Sequence, residues 1–210
     1  KARVESPGID VAGHRVVPSG PPLHIAWAAR WEHDKDPQTF FDALRLLHQQ
    51  GVDFRLTVCG QTFRHIPPEF ETARRDLASH IEHWGPLPTR QQYLNTLSRA
   101  DVFVSTAAHE FFGLAVMEAV SLGLFPMLPD RLSYPELLGL DQSTTASQFF
   151  HDGSAAHLAR RLAELAHSPD LPHGTHHRQY LADRARRYEW STRAAAMDEA
   201  LANLANLPAN

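Results

Sequence analysis

The chain reads as an α/β fold, a parallel doubly wound sheet followed by extra helices at its carboxyl end. Short apolar runs of strand length alternate with segments whose apolar residues recur at helical spacing. The clearest run is apolar almost throughout rather than alternating, as expected of a strand covered on both faces. The connections between runs and stripes are short, so successive strands join through right-handed crossovers.

Residues 1–22 hold Pro7, Gly8, Gly13, Pro18, Gly20, Pro21 and Pro22 and few apolar side chains, which predicts a linker or the tail of a preceding domain. His24-Ile25-Ala26-Trp27-Ala28-Ala29 is the first strand. Asp36-Pro37 then starts a helix, with Asp as N-cap and Pro at the first helical position. Phe40, Ala43, Leu44 and Leu47 make its apolar stripe and Gly51 stops it. Phe54–Cys59 is the second strand, ending at Gly60, and a helix is expected from about Glu69 to His80. Ile81-Glu82-His83-Trp84 is the third strand, closed by Gly85-Pro86. Thr89 caps the next helix, which carries Tyr93, Leu94 and Leu97. Asp101–Thr106 is the fourth strand, and a helical pattern ends near Gly123. Phe125–Pro129 is a fifth strand despite its prolines, and Tyr134-Pro135-Glu136-Leu137-Leu138 starts a short helix. Beyond residue 150 three helices are expected: one from Asp152 or Ser154, one over about His177–Tyr188, and one from Ser191 toward Leu204.

The 210 residues suffice for a core without disulfides, and the single cysteine, Cys59, suits a reducing cytosol. A net charge of -4 makes no electrostatic case for nucleic-acid binding by itself. No apolar run approaches the about 20 residues of a membrane span. The run His173-Gly174-Thr175-His176-His177 invites a metal reading, but no cysteine or carboxylate nearby completes a ligand set, and Pro169, Pro172 and Gly174 suggest an exposed loop. Arg178, Arg184, Arg186 and Arg187 read either as a basic patch or as a solvated helix face balanced by Asp183 and Glu189.

Ligands of such sheets bind at the carboxyl ends of the strands. Arg30, Gly60, Gly85 and Glu110 follow strands one to four and should share that rim. Lys1 and Lys35 are the only lysines among twenty cationic side chains, so Lys35 is the one lysine inside the fold. Arg30 and Lys35 flank Trp31-Glu32-His33-Asp34 and could grip a phosphate or diphosphate. The alternative is ion pairing with Glu32, Asp34 or Asp36. No GxGxxG or GxxxxGK[ST] pattern is present, which removes dinucleotide and ATPase phosphate loops. The stretch His109-Glu110-Phe111-Phe112-Gly113-Leu114 enters a helix whose free N–H groups attract anionic oxygens. Glu118 sits in a helix that is apolar nearly all round, where an ionisable side chain needs a partner. A ribose diol is one possibility.

Glu110 and Glu118, eight positions apart, form the E-x7-E pattern and Phe112-Gly113-Leu114 the phenylalanine-glycine-leucine step of retaining glycosyltransferases of the GT-B fold. Arg30 with Lys35 resembles the arginine–lysine pair of that family, Gly60 its strand-ending glycine, and Gly85-Pro86-Leu87 the loop near the donor base. Arg30-Trp31-Glu32-His33-Asp34-Lys35, His83-Trp84-Gly85 and His109-Glu110-Phe111-Phe112-Gly113 are similar to the tRNA-queuosine mannosyltransferase family and its bacterial relatives. Phe111 replaces the small residue common in the wider family, and Leu132-Ser133-Tyr134-Pro135-Glu136 lacks a glycine pair common before Pro-Glu.

The resemblance implies the Rossmann-like carboxyl-terminal half of a GT-B fold. Residues 1–22 would be the linker or tail of a missing domain, 23–190 the nucleotide-sugar-binding domain, and 191–210 a helix crossing back to the other domain, its apolar residues partly exposed. It further implies retaining transfer without a metal or other cofactor, from GDP-mannose, to queuosine in a tRNA held mainly by the other domain, in the cytoplasm. Arg30, Lys35 and Glu110 would be catalytic, with Glu110 facing the transferred sugar. Gly60, Gly85, Leu87, Phe111, Phe112, Gly113, Leu114 and Glu118 would hold the donor. A glycosyltransferase acting on a lipid, glycan or small metabolite and a non-catalytic nucleotide- or RNA-binding module are the alternatives.

Overall fold

A computed structural model of the chain describes residues 5–10, 20–62, 66–168 and 170–205. Six strands form one parallel sheet: β1 (Leu23–Ala28), β2 (Phe54–Cys59), β3 (Ile81–Gly85), β4 (Val102–Val104), β5 (Phe125–Pro129) and β6 (Phe150–His151). Their order is β3-β2-β1-β4-β5-β6. The direction of winding reverses between β1 and β4, so the loops leaving those two strands part and open a crevice on the carboxyl rim.

The helices are α1 (Pro37–Gln49), α2 (Pro68–Asp76), α3 (Arg90–Leu97), α4 (Leu114–Leu122), α5 (Tyr134–Leu138), α6 (Ala155–His167), α7 (Thr175–Arg186) and α8 (Trp190–Ala205). One group packs α1 against α2 and α6; the other packs α4 against α3 and α7, with α5 also on α7. Two separate helix layers explain why every residue of β1 is buried. Asp36 caps α1 as expected, its carboxylate accepting from Thr39 N at 3.2 Å, and Phe40, Phe41, Ala43, Leu44 and Leu47 face the core. Ser154 caps α6 in the same way. Under β1–β3 the rings of Trp27, Phe40, Phe41, Phe70, Trp31 and Trp84 pack together. Trp31 stacks on Phe70 at 4.2 Å between centroids, which anchors the loop leaving β1.

Several elements differ from expectation. The helix expected over 69–80 ends at Asp76 and resumes as a 3-10 turn at Ala78–His80. Residues 144–151 form a 3-10 segment and β6, a strand of two residues, too short to carry any periodic signal. Strand β5 forms over the expected residues and is paired on both sides although it contains Pro126. Phe125 N donates to Asp101 O on the β4 side, so the N–H that Pro126 lacks would point the other way, where β6 begins only opposite Leu128.

The histidine run is divided: His173 and Gly174 lie in the turn before α7, and Thr175, His176 and His177 are the first residues of that helix. His173 Nε2 lies 3.1 Å from the buried Asp101 Oδ1, and His177 is buried with Nδ1 on Leu171 O; Pro169 lies outside the described residues. Among the described residues no three His, Cys, Asp or Glu side chains group as a metal set. Arg184 does not belong to a basic surface. It is buried, bonding the carbonyls of Glu136 and Leu137, while Arg186 pairs with Asp183. Within the segment expected to be a linker, Ile9 is buried and bonds Tyr188 O and Trp190 N, which ties residues 5–10 to the α7–α8 junction. Residues 11–19 and 206–210 lie outside the described residues. On α8, Trp190 and Leu201 are exposed, and no helix is long and apolar enough to cross a membrane among the described residues.

Candidate active site

The site is built where the β1–α1 and β4–α4 loops face each other across the crevice. After β1 the chain is fixed by the buried Trp31, whose backbone N–H donates to Gln61 O at 3.0 Å. Gly60 makes that approach possible. A Cβ there would lie 1.7 Å from Ala29 O, and its φ is +150°, so the glycine is required by the neighbouring backbone. A 3-10 turn, His33–Lys35, then carries Lys35 inward, leaving it 8% exposed.

Lys35 Nζ donates to His109 O at 2.6 Å and lies 3.4 Å from Glu110 Oε2 and 3.2 Å from Asp34 Oδ2. The two loops are laced further by backbone. Ala108 N and His109 N both donate to Asp34 O, and Thr106 Oγ1 donates to the carbonyls of Lys35 and Asp36. Arg30 is half exposed and pairs with Glu32 at 3.1 Å and with Asp34 at 3.8 Å. The ion pairing considered from sequence is therefore present for Arg30. Asp36 takes no part in it, being the cap of α1. Asp34 Oδ2 touches both cations, so one carboxylate bridges the pair.

On the other loop Glu110 Oε1 accepts from Phe111 N at 3.1 Å, while the Phe111 ring is fully exposed. Phe112 is half-buried against Tyr188. Gly113 turns the chain into α4 at φ +101°, and a Cβ on it would come within 3.1 Å of the Tyr134 ring. The free N–H groups of the first turn of α4, beginning at Leu114, thus open onto the crevice rim. The β5–α5 loop braces this turn. Arg131 donates to the carbonyls of Thr106 and Ala107, Ser133 Oγ donates to Phe112 O at 2.8 Å, and Leu132 takes a φ of +61° without a glycine. Tyr134 OH and Ser105 Oγ meet at 2.8 Å, and burial raises the Tyr134 hydroxyl pKa, keeping it protonated. A cavity of about 20 Å³, room for about one water, is lined by Lys35, Ser105, Glu110, Gly113, Val116 and Tyr134.

Glu118 lies in a second polar group. Its carboxylate accepts from Arg90 Nη1 at 2.5 Å, and Arg90 Nη2 is 3.8 Å from Asp10. Burial, then the nearby Glu118 charge, pushes the Tyr93 hydroxyl well above its ordinary pKa, so it stays protonated and hydrogen-bonds Glu118. Glu118 therefore has the partner its setting demands, and sequence reasoning missed both side chains that supply it. A signal was present: Arg90 is a cation in the first turn of α3, where the helix dipole disfavours it unless an anion is near. Gly85, at φ +123°, ends β3 beside Cys59, and a Cβ there would meet open space. Leu87 is half-buried at the margin of the core.

Lys35 and Glu110 are thus in direct contact, and Arg30 joins them through Asp34. Glu118 forms a separate pair with Arg90, and Gly60 and Gly85 end adjacent strands. His151, also missed, holds this rim from beneath. Its Nε2 donates to Ser105 O at 3.1 Å, and burial lowers its pKa to about 4, so the ring is neutral.

Comparison with known proteins bears on the family and the fold. The chain is 45% identical over 115 residues, 55% of its length, to the tRNA-queuosine alpha-mannosyltransferase of Drosophila melanogaster, covering 30% of that protein. It is 26% identical over 173 residues, 82% of its length, to a GDP-mannose-dependent alpha-(1-6)-phosphatidylinositol dimannoside mannosyltransferase of Mycobacterium tuberculosis, covering 42% of that protein. The chain thus spans less than half the length of these relatives. Sucrose-phosphate synthase from Thermosynechococcus elongatus superposes with a TM-score of 0.77 at 15% identity, covering 96% of this chain and 52% of that one; at such identity the likeness is one of fold. The pattern of the glycosyl transferases group 1 matches residues 17–188, and with the sheet order and rim just described the chain belongs to that family of glycosyltransferases.

Proposed function

We propose that this chain is the donor-binding part of a retaining mannosyltransferase that uses GDP-mannose and delivers mannose to queuosine in tRNA. The observation that carries the reading is the contact of Lys35 with Glu110 across the crevice at the β1/β4 switch point, beside the first turn of α4. As the glycosidic bond of a nucleotide sugar breaks, negative charge grows on the departing diphosphate. Arg30, Lys35 and the N–H groups from Phe112 to Leu114 are cations and donors able to stabilise it. In this reading Phe112 serves the donor through its backbone N–H, and Phe111 through the N–H that orients the Glu110 carboxylate. Glu118, oriented by Arg90 and Tyr93, accepts from the ribose diol, and Glu110 faces the transferred sugar. Gly85 leaves open space into which the base can come close, with Leu87 beside it. Gly60 sets the separation of the loops. No metal or other cofactor is needed, because the developing charge is met by side chains and the helix terminus.

The 45% identity to a tRNA-queuosine mannosyltransferase supports mannose as the sugar and queuosine in tRNA as the acceptor, and the match to a GDP-mannose-dependent enzyme supports GDP as its carrier. A cytoplasmic enzyme whose tRNA is held mainly outside this chain fits that acceptor. A second reading, a lipid acceptor with the same donor, is supported by the longer match to the phosphatidylinositol dimannoside enzyme. Nucleotide-dependent thermal stabilisation tests the donor. GDP is expected to raise the unfolding midpoint more than UDP or ADP at equal concentration. A larger shift with UDP overturns the GDP assignment, and no shift with any of the three overturns the donor-binding reading.

A further inference from the structure

Six large apolar side chains are exposed among the described residues, and four of them sit on the carboxyl rim: Ile66 after β2, Phe111 and Leu114 at the start of α4, and Leu132 after β5. Phe111 is the extreme case, with a relative exposure of 103%. A phenylalanine ring left wholly in water forgoes the burial that normally stabilises it, so its position calls for a partner outside the described residues. The backbone beneath it is not free to fold the ring away. Phe111 N is held by Glu110 Oε1, Phe112 O by Ser133 Oγ, His109 O by Lys35 Nζ, and His109 N by Asp34 O. The ring is presented outward by a braced loop, one residue from the carboxylate that contacts Lys35.

We infer that Phe111 is an acceptor-side specificity residue whose ring stacks on the planar base of the acceptor nucleoside and sets where its hydroxyl meets the transferred sugar. This rests on the reading above that the acceptor is a nucleoside in RNA. Stacking suits the position. A ring exposed on both faces offers a flat π surface, and base–aromatic stacking tolerates the absence of hydrogen-bonding groups around it. Leu114 and Leu132 are exposed apolar side chains on the same rim and carry no flat ring of their own.

The test uses the full-length protein containing this chain, GDP-mannose, and an RNA stem-loop carrying queuosine. Phe111→Ala should raise the acceptor KM by about tenfold or more, with little change in the GDP-mannose KM, because alanine keeps the backbone N–H. Phe111→Trp should restore the acceptor KM and Phe111→Leu should not. An unchanged acceptor KM in Phe111→Ala overturns the inference. Equal rescue by Leu and Trp overturns stacking in favour of plain apolar contact. A fall in the unfolding midpoint of Phe111→Ala with no change in acceptor KM reassigns the ring to a contact within the longer protein, and overturns it too. If the unaltered enzyme binds GDP-mannose yet transfers to a lipid and not to the RNA, the acceptor reading itself fails and this inference falls with it.

Discussion

At Lys35 three oxygens converge on one ammonium, from the backbone of His109 and the carboxylates of Glu110 and Asp34, around a side chain that is almost buried. Two carboxylates on one lysine leave the group locally anionic before any ligand arrives, and an incoming diphosphate must displace at least one. Asp34 is the one placed to yield. It already bridges Arg30 and Lys35 through a single oxygen, as a phosphate oxygen would, and Arg30 is half exposed and able to turn. The pair then changes partners rather than forming from free charges, so its contribution is greatest when the leaving group becomes most negative. Lys35→Ala should lower turnover by about 100-fold, the usual effect of removing one pre-aimed donor, in the full-length enzyme at saturating GDP-mannose. Turnover equal to that of the unaltered enzyme would refute the role.

At the scale of loops and turns, two glycines that look alike in sequence do different things. Both end strands and both have positive φ, yet a Cβ on Gly60 would overlap Ala29 O while one on Gly85 would meet nothing within 4 Å. Gly60→Ala must therefore push the β1 and β2 exits apart, and on the order of 3 kcal/mol of stability should be lost. Gly85→Ala carries only the backbone strain and should cost less, while weakening GDP binding. Urea unfolding and calorimetric titration with GDP separate the two, and equal stability losses in both variants would contradict this division. The difference between the glycines was not legible in the sequence, because it depends on which loop lies beside each. The strands, helix caps and rim position of Arg30, Lys35 and Glu110 were legible, since each follows from local pattern plus the carboxyl-end rule. Glu118 was legible as a residue needing a partner, but Arg90 and Tyr93 lie on another helix and are joined to it only by packing. Strand β6 exists because Leu128 and Pro129 offer it an edge, which two residues of sequence cannot announce.

Over the whole molecule, polar side chains buried at the two ends of the sheet tie its strands together and make its stability depend on pH. At the amino-terminal end His24 Nδ1 and Nε2 bond Arg99 O and Thr57 Oγ1, its backbone N–H donates to Asp101 Oδ2, and His173 meets the other oxygen of Asp101. At the carboxyl end His151 joins β6 to the end of β4. All three have lowered pKa values with burial as the leading cause. Arg55 adds to the effect on His24 and Arg178 to that on His173, against the raising influence of Asp101. Around His151 the charges of His157 and Arg131 lower its pKa while Asp152 and the Ser105 carbonyl raise it. A histidine whose folded pKa lies below its unfolded value favours the native state while neutral. Between the unfolded value of 6.5 and a folded value of about 4 for His151, the unfolded chain binds more protons, so stability falls as pH falls through that window. The shift corresponds to about 3 kcal/mol for His151 when the full window is crossed. His24 and His173 change stability in the same direction. Urea unfolding from pH 7 to pH 4 should show this decline, and His151→Gln, which keeps a side-chain donor for Ser105 O but does not titrate, should flatten it. An equally steep decline in the variant would remove His151 from the explanation and leave the His24–Asp101–His173 group to carry it.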